Sequence, residues 1–344
     1  MIYLDHNATS PLCAEARAAM EPWWGRPANP MSPHALGREA AMAVDRAREV
    51  VARATGWHRD GVVFTSGATE GNNAVLGQGR WAASAVEHPS VLSRAARLIP
   101  VDRDGMVRVP ELDAMVEVDG ISVQLANNET GVVQDLAPLV ARARDRGLLV
   151  HVDAAQGPGR IPLDGCRDAD FVTLSSHKCG GPQGVGAVLV RRGLKLPALL
   201  RGGPQERGQR AGTHNVAGIV GFAAAMDRPL GHTAVLRDRL EAALPALGGR
   251  VIGAAAPRLP NTACVVFDGL DAVDLVIALD LAGVAVSAGA ACASGSAGRS
   301  HVLGAMGEVG SGVRFSISRD TSVEEIDAAL VSLFSAVESL RVVE

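Results

Sequence analysis

Asp153 and Lys178 are the two residues whose types and spacing could do chemistry together. Asp153 closes the run LLVHVD, and Lys178 stands 25 residues further on, at the end of FVTLSSHK. Both runs read as strands. In an open parallel sheet the carboxyl ends of the strands line the ligand crevice, so an acid and an amine at two such ends can converge there. That pair matches what pyridoxal phosphate requires: an amine to form a Schiff base with its aldehyde, and a carboxylate to keep its pyridine nitrogen protonated. Of the 33 basic residues only Lys178 and Lys195 are lysine. An arginine stays protonated and cannot become an amine nucleophile, so a surviving lysine at a strand end draws attention to its amine. Lys195, in Arg191-Arg192-Gly193-Leu194-Lys195, reads as a solvated surface residue.

A phosphate needs a cradle, and VVFTSGATEGNN supplies a strand, then Gly67, then Thr69 opening a helix, where free amides and a hydroxyl meet an anion. Ser175 and His177, just before Lys178, are further candidates. The Walker A order is missing, and GGPQGVGAV lacks the G-x-G-x-x-G of a dinucleotide site. The five cysteines are odd in number and form no C-x-x-C pair, which indicates neither a disulfide framework nor a zinc site and fits a reducing cytoplasm. Cys13, Cys166 and Cys264 read as buried thiols, and Cys179 as a packing residue. Cys292 differs. It lies in SAGAACASGSAGRS, small residues that read as a flexible loop, where a thiol near Arg299 is a candidate nucleophile.

The elements that must position these residues follow from the pattern. A chain of 344 residues, 47% apolar, has material for about two domains. A formal charge of −4 gives no reason to expect nucleic acid or an anionic membrane. The longest uncharged apolar stretch, Leu281 to Ala293, is too short to span a bilayer, and MIYLDHNATS has no basic region of a signal peptide. Strands are predicted over Gly61–Thr65, Gly120–Leu125, Leu148–Val152, Asp170–Leu174 and Gly186–Val190. Helices over Ala35–Ala54 and Asp135–Arg146 complete an α/β domain with a mostly parallel sheet. Beyond Pro229, helix Thr233–Leu244, strand Thr262–Phe267, helix Ala272–Leu281, strand Val313–Ile317 and helix Val323–Leu340 read as a smaller α+β domain.

In order along the chain stand YLDHNATS, NPMSPHALGRE, FTSGATEGNN, EHPSVL, ANNETGVVQD, HVDAAQ, SSHKCGGPQGVGA, GGPQERGQRAGTHN, SAGAACASGSAGRSHVL and RFSISRDTSVEEID. Together, over nearly the whole chain, they resemble the cysteine desulfurases of the class V aminotransferase group, in the NifS and IscS branch. The resemblance implies the type I pyridoxal-phosphate fold, with a large domain over 12–230 and a small one built from 1–11 and 231–344, working as a homodimer with sites at the subunit interface. It makes Lys178 the Schiff-base lysine, Asp153 the pyridinium partner, Gln156 a donor to the ring oxygen and His88 the residue that stacks on the ring and moves protons. Ala68, Thr69, Ser175 and His177 would hold the phosphate, with Thr213 reaching in from the partner subunit. Asn128 would contact the cofactor, and Arg314 and Asn29 the substrate.

The implied reaction takes sulfur from L-cysteine to leave L-alanine and a persulfide on Cys292, for a sulfur-acceptor protein in iron–sulfur cluster assembly or thiolation. Two segments, between TEGNN and EHPSV and between EHPSV and ANNE, look shorter than is usual in the family. Ala297-Gly298-Arg299 replaces a Leu-Glu-Pro-like stretch of relatives. A selenocysteine lyase or another class V enzyme is the alternative in the same fold. A non-catalytic scaffold partner is disfavoured by the joint presence of Lys178, Asp153 and Cys292.

Overall fold

The computed structural model describes residues 1–228, 233–289 and 300–342. Cys292 and Ala297-Gly298-Arg299 therefore lie outside the described residues. The short strand β1 (Ile2–Tyr3) precedes helices α1 (Ala14–Met20) and α2 (Ala35–Thr55). His34 caps α2 by accepting the Gly37 amide, and Gly56 ends it in the left-handed region at φ 66°.

Seven strands make the large sheet: β2 (Val62–Thr65), β3 (Trp81–Ser84), β4 (Ala95–Ile99), β5 (Gly120–Ser122), β6 (Leu149–Asp153), β7 (Phe171–Ser175) and β8 (Gly186–Val190). Their order is β2-β8-β7-β6-β5-β3-β4. From β4 through β7 the neighbours are parallel, whereas β8 runs against both β7 and β2. The reversal follows from the connection, because no crossover helix joins β7 to β8 and a short link permits only an antiparallel return. Two reversals cancel, so β2 points the same way as β6 and β7, and all three carboxyl ends share one edge.

Helices α3 (Ala68–Leu76) and α5 (Leu136–Asp145) pack against this sheet, α4 (Pro89–Leu92) packs against α3, and α6 (Val216–Met226) packs against α1 and α2. At Gly71 of α3 an added Cβ would stand 2.8 Å from Val188 Cγ2 and 2.9 Å from Thr173 Cγ2, so glycine lets the helix lie close on β7 and β8. The predicted strand to Leu125 is shorter as observed, yet the Val123 and Leu125 amides still donate to the His151 and Asp153 carbonyls, which keeps that segment aligned with β6. Strand β3 and helix α6 carried weak signals. The first is WAAS, and the second, VAGIVGFAAAM, is buried on most sides and shows no polar face.

The rest of the chain contains α7 (Ala234–Ala243), β9 (Gly249–Val251), β10 (Thr262–Phe267), α8 (Ala272–Leu281), β11 (Val284–Ala285), β12 (Ser287–Ala288), α9 (His301–Ala305), β13 (Gly312–Ser316) and α10 (Val323–Val342). Strands β12-β13-β10-β9 form an antiparallel sheet, and β11 pairs with β1. The apolar interior divides accordingly. One cluster runs from Ala40 to Met226, and another from Leu240 to Val337 takes in Leu4 of the amino-terminal segment.

One buried ion pair ties the chain that follows β8 to the sheet. Glu206 takes a bidentate bond from Arg48 of α2 at 2.7 and 2.8 Å, the Phe64 amide at 3.1 Å and His214 at 2.8 Å. To do so Glu206 and Arg207 both adopt positive φ, 48° and 58°, which ordinary residues avoid. Burial alone would raise the Glu206 carboxyl, but Arg48 and His214 hold it at about 2, against 4.5 for a free glutamate. A folded value below the unfolded one stabilises the protein above about pH 4.5, and that contribution fades as pH falls toward 2. Glu206→Gln is expected to lose on the order of 3 kcal/mol at pH 7. Urea unfolding should then show a gap between the two proteins that narrows steadily as pH drops below 4.5.

Candidate active site

At the shared edge of β2, β6 and β7 a cavity of about 460 Å3 opens, lined by Asp153, Lys178, His88 and Arg314 among others. Its size lies within the roughly 300–1,000 Å3 of small-molecule sites. Asp153 is the last residue of β6 and is buried, with 7% exposure. Its Oδ1 accepts the Ala155 amide at 2.9 Å, and its Oδ2 accepts from Asn72 Nδ2 of α3 at 2.7 Å. The same Asn72 nitrogen donates to Ser90 Oγ at 2.9 Å, and Ser90 meets His88 Nδ1 through its hydroxyl at 2.8 Å and its amide at 3.1 Å. A continuous chain of hydrogen bonds therefore joins the acid at the bottom of the cavity to the imidazole on its wall.

Because His88 Nδ1 accepts from Ser90, the neutral ring carries its proton on Nε2. Burial lowers the His88 pKa; the charges of Lys178 and His301 add to this and Asp153 opposes it. Beside it Glu87 is fully buried. Burial first and Asp153 second push its carboxyl well above the usual range, and Oε2 has no partner among the described residues, while Oε1 accepts the Gln124 amide at 2.5 Å.

Lys178 follows β7 in the turn toward β8, and its backbone is fixed. Its carbonyl accepts from Ser10 Oγ at 3.2 Å and from Arg160 Nη2 at 3.1 Å, and that Arg160 nitrogen also reaches the His6 carbonyl at 2.9 Å. Arg160 further bonds the Gln156 side-chain oxygen, and Gln156 Nε2 donates to the Asn7 carbonyl at 3.0 Å.

The opening residues of α3, Ala68 and Thr69, line the cavity together with Ser175 and His177. His177 touches Thr9 Oγ1 at 3.1 Å; burial, with Lys178 and Arg160, lowers its pKa to about 4. On the opposite side Arg314, 2% exposed, stands in β13 between Cys264 and Ser287. One guanidinium nitrogen donates to the Asn128 carbonyl at 3.0 Å and another pairs with Asp5, while its buried Nε has no partner among the described residues.

Ten of the residues singled out from the sequence thus line one cavity: Ala68, Thr69, His88, Asn128, Asp153, Gln156, Ser175, His177, Lys178 and Arg314. Thr213 does not. It is exposed and lines a separate space of about 120 Å3, although Ser66 and Gly184 border both. Asn29 is likewise exposed and outside the cavity, its Oδ1 taking the Met31 amide at 3.0 Å. Asn72, Ser90, Glu87 and Arg160 were not singled out from the sequence. Asn72 stands three residues beyond Thr69, on a neighbouring position of the same helix face, and that spacing could have found it.

The donor set fits pyridoxal phosphate: a buried carboxylate, an amine at the next strand end, a flat imidazole on the wall, and hydroxyls with a helix amino terminus for a phosphate. The model of the family described as Aminotransferase class-V matches residues 2–329. A cysteine desulfurase of Cereibacter sphaeroides is 41% identical, the alignment covering 99% of this chain and 96% of the relative. The cysteine desulfurase NifS of Azotobacter vinelandii is 36% identical over 99% and 93%. Among solved structures, a NifS-like protein from Rickettsia africae ESF-5 superposes with a TM-score of 0.90 at 31% identity, covering 98% of this chain and 99% of that one. The alignment with the Cereibacter relative runs over 374 positions against 344 residues here, so this chain lacks at least 30 positions of it.

At pH 7 His88 is expected to be neutral, protonated on Nε2, and to gain its second proton only below its ordinary 6.5. Histidine side-chain NMR of the wild type against His88→Gln checks this; a signal titrating above 6.5 would contradict the geometry.

Proposed function

We propose that this chain, which belongs to the class V aminotransferase family and within it to the cysteine desulfurases, holds pyridoxal phosphate in the cavity at the carboxyl ends of β2, β6 and β7 and removes sulfur from L-cysteine, leaving L-alanine. The observation that carries this reading is the placement of Asp153 and Lys178 at the same ends of two neighbouring parallel strands, β6 and β7.

In this reading Asp153, braced by Asn72 and the Ala155 amide, holds the pyridine nitrogen, and the Lys178 amine holds the aldehyde carbon. Ala68, Thr69, Ser175 and His177 hold the phosphate, His88 lies on the ring, Gln156 meets the ring oxygen and Asn128 adds a contact. When bound, the cofactor supplies the electron sink for the bonds broken at the substrate's Cα. The remaining work falls to the chain. Arg314 has an Nε without a partner among the described residues and a guanidinium fixed by Asn128 and Asp5, which suits it to a substrate carboxylate. Lys178 and His88 hold the protons that move, the latter at Nε2. Cys292 takes the sulfur as a persulfide and hands it to an acceptor protein, for iron–sulfur cluster assembly or thiolation.

A homodimer completes the site, with Thr213 of the partner subunit reaching the phosphate. Supporting this, Thr213 is exposed in its own chain, and the neighbouring Leu199 and Leu200 are exposed apolar residues, with the Ala211 amide bonded to the Leu200 carbonyl. No helix among the described residues is long and apolar enough to cross a membrane. The described cysteines, Cys13, Cys166, Cys179 and Cys264, are free thiols, in keeping with a reducing cytoplasm.

The purified protein is expected to show a visible absorption band that Lys178→Ala abolishes. With L-cysteine and a reductant it should release alanine and sulfide, and Cys292→Ser should lose that release by roughly 100-fold or more. A colourless protein would overturn the cofactor assignment. Alanine release that survives Cys292→Ser would move the enzyme to a lyase without a protein persulfide.

A further inference from the structure

A second cavity, of about 290 Å3, shares Lys178 with the active site and has no part in the proposed reaction. His6, Ser10, Arg160, Arg228, Arg319 and Asp320 are among the residues that line it, and Lys178 is the one described residue that borders both spaces. Its volume stands near the lower end of small-molecule sites, roughly 300–1,000 Å3, which suits a compact ligand.

The charges around this cavity are unevenly matched. Arg228 has two carboxylates, its Nε 3.4 Å from Glu15 and its Nη2 3.6 Å from Asp320. Glu325 also lines the space, and its Oε2 accepts the Ser322 amide at 2.8 Å. No described carboxylate forms an ion pair with Arg160 or Arg319. Arg160 bonds neutral oxygens alone: one nitrogen takes the Gln156 carbonyl at 3.1 Å and the Gln156 side chain, and another takes the His6 and Lys178 carbonyls at 2.9 and 3.1 Å. Arg319 donates to no described group. Its Nη2 lies 3.8 Å from where a Cβ on Gly159 would stand, one residue from Arg160. Burial lowers the Arg160 pKa to about 10, Cys179 opposing and Arg314 adding; burial, then the charge of Arg228, lowers that of Arg319 against the more distant Asp320 and Glu15. Both stay cationic at pH 7. His6 contributes no charge there, since burial and Arg160 bring its pKa to about 4. A cation withdrawn from water is costly unless an anion meets it, and the guanidinium fork matches carboxylate and phosphate oxygens.

We propose that this second cavity binds a small oxyanion, a carboxylate or a phosphate, on Arg319 and Arg160, and that its binding slows the enzyme, because an Arg160 drawn toward the anion gives up the Lys178 carbonyl. The effect on turnover rests on the reading of Lys178 as the lysine that holds the cofactor; the binding does not.

The test titrates the holoenzyme with sodium phosphate and, separately, with sodium acetate at constant ionic strength, in the wild type, Arg319→Gln and Arg319→Lys. Cofactor already in place keeps added phosphate out of its own cradle, and the two anions tell a phosphate site from a carboxylate site. The first readout is the heat of binding. One or both anions should bind the wild type, roughly 10-fold or more weakly after Arg319→Gln, with part of the loss recovered in Arg319→Lys, which keeps the charge. The second readout is alanine release: saturating anion should lower the maximal rate with little change in the half-saturating cysteine concentration, and Arg319→Gln should blunt that effect. Absence of binding by both anions, or equal binding in wild type and Arg319→Gln, would overturn the site. A purely competitive effect against cysteine would put the anion on Arg314 in the active site and overturn it as well. Binding that leaves alanine release unchanged overturns the regulation. A colourless protein fails the cofactor reading instead, and the heat of binding still decides for or against the oxyanion site.

Discussion

Parallel pairing of β6 with β7 is the constraint on which the rest of the molecule depends. It brings an acid and an amine 25 residues apart in sequence to the same edge, and it needs a crossover connection between the two strands to do so. The reversal of β8 then serves a purpose beyond filling the sheet. By returning against β7 it forms the turn that holds Lys178, and it lets β2 rejoin in the common direction, so the amino terminus of α3 faces the same space. Glycine at position 71 lets that helix settle near enough for Asn72 to reach Asp153. Sheet topology, helix approach and hydrogen bonding are one arrangement seen at three scales.

The amino-terminal segment joins the two halves of the interior. Leu4 packs with the residues of the carboxyl-terminal core, while Asp5 pairs with Arg314, and Asn7 donates to the Asn128 carbonyl and to Thr262 Oγ1. Arg160, from the large-sheet side, closes the loop by bonding the His6 carbonyl. An ion pair with one partner buried and the other partly so adds little net stability, because desolvation offsets its attraction; its worth is in fixing one geometry. Here the geometry fixed is that of Arg314, whose guanidinium would otherwise have several rotamers open to it.

Strand positions were legible because β-branched runs bounded by glycine and proline are local signals: the observed β6 and β7 each lie one residue beyond the predicted span. Helix α6 was less so, since burial on most sides removes the periodic contrast that marks a helix. Of the cavity, the residues with nameable chemistry could be read directly from their motifs. The supports could not. Asn72, Ser90 and Arg160 matter through whom they touch, and long-range contacts such as Asn72 to Asp153, 81 positions apart, leave no local trace. Thr213, expected to reach in from the partner subunit, and Asn29, expected at the substrate, both lie outside the cavity of their own chain.

The anchoring of the Lys178 carbonyl by Ser10 and Arg160 has a mechanical meaning. With its backbone pinned at that point, all the travel of the amine must come from torsions of its own four-carbon stem, as an arm swings from a fixed shoulder. In the reaction proposed above, where the amine leaves and returns in each cycle, it would come back to the same spot without any rearrangement of the fold. Reproducible return, more than reach, is what the clamp on that one peptide unit secures.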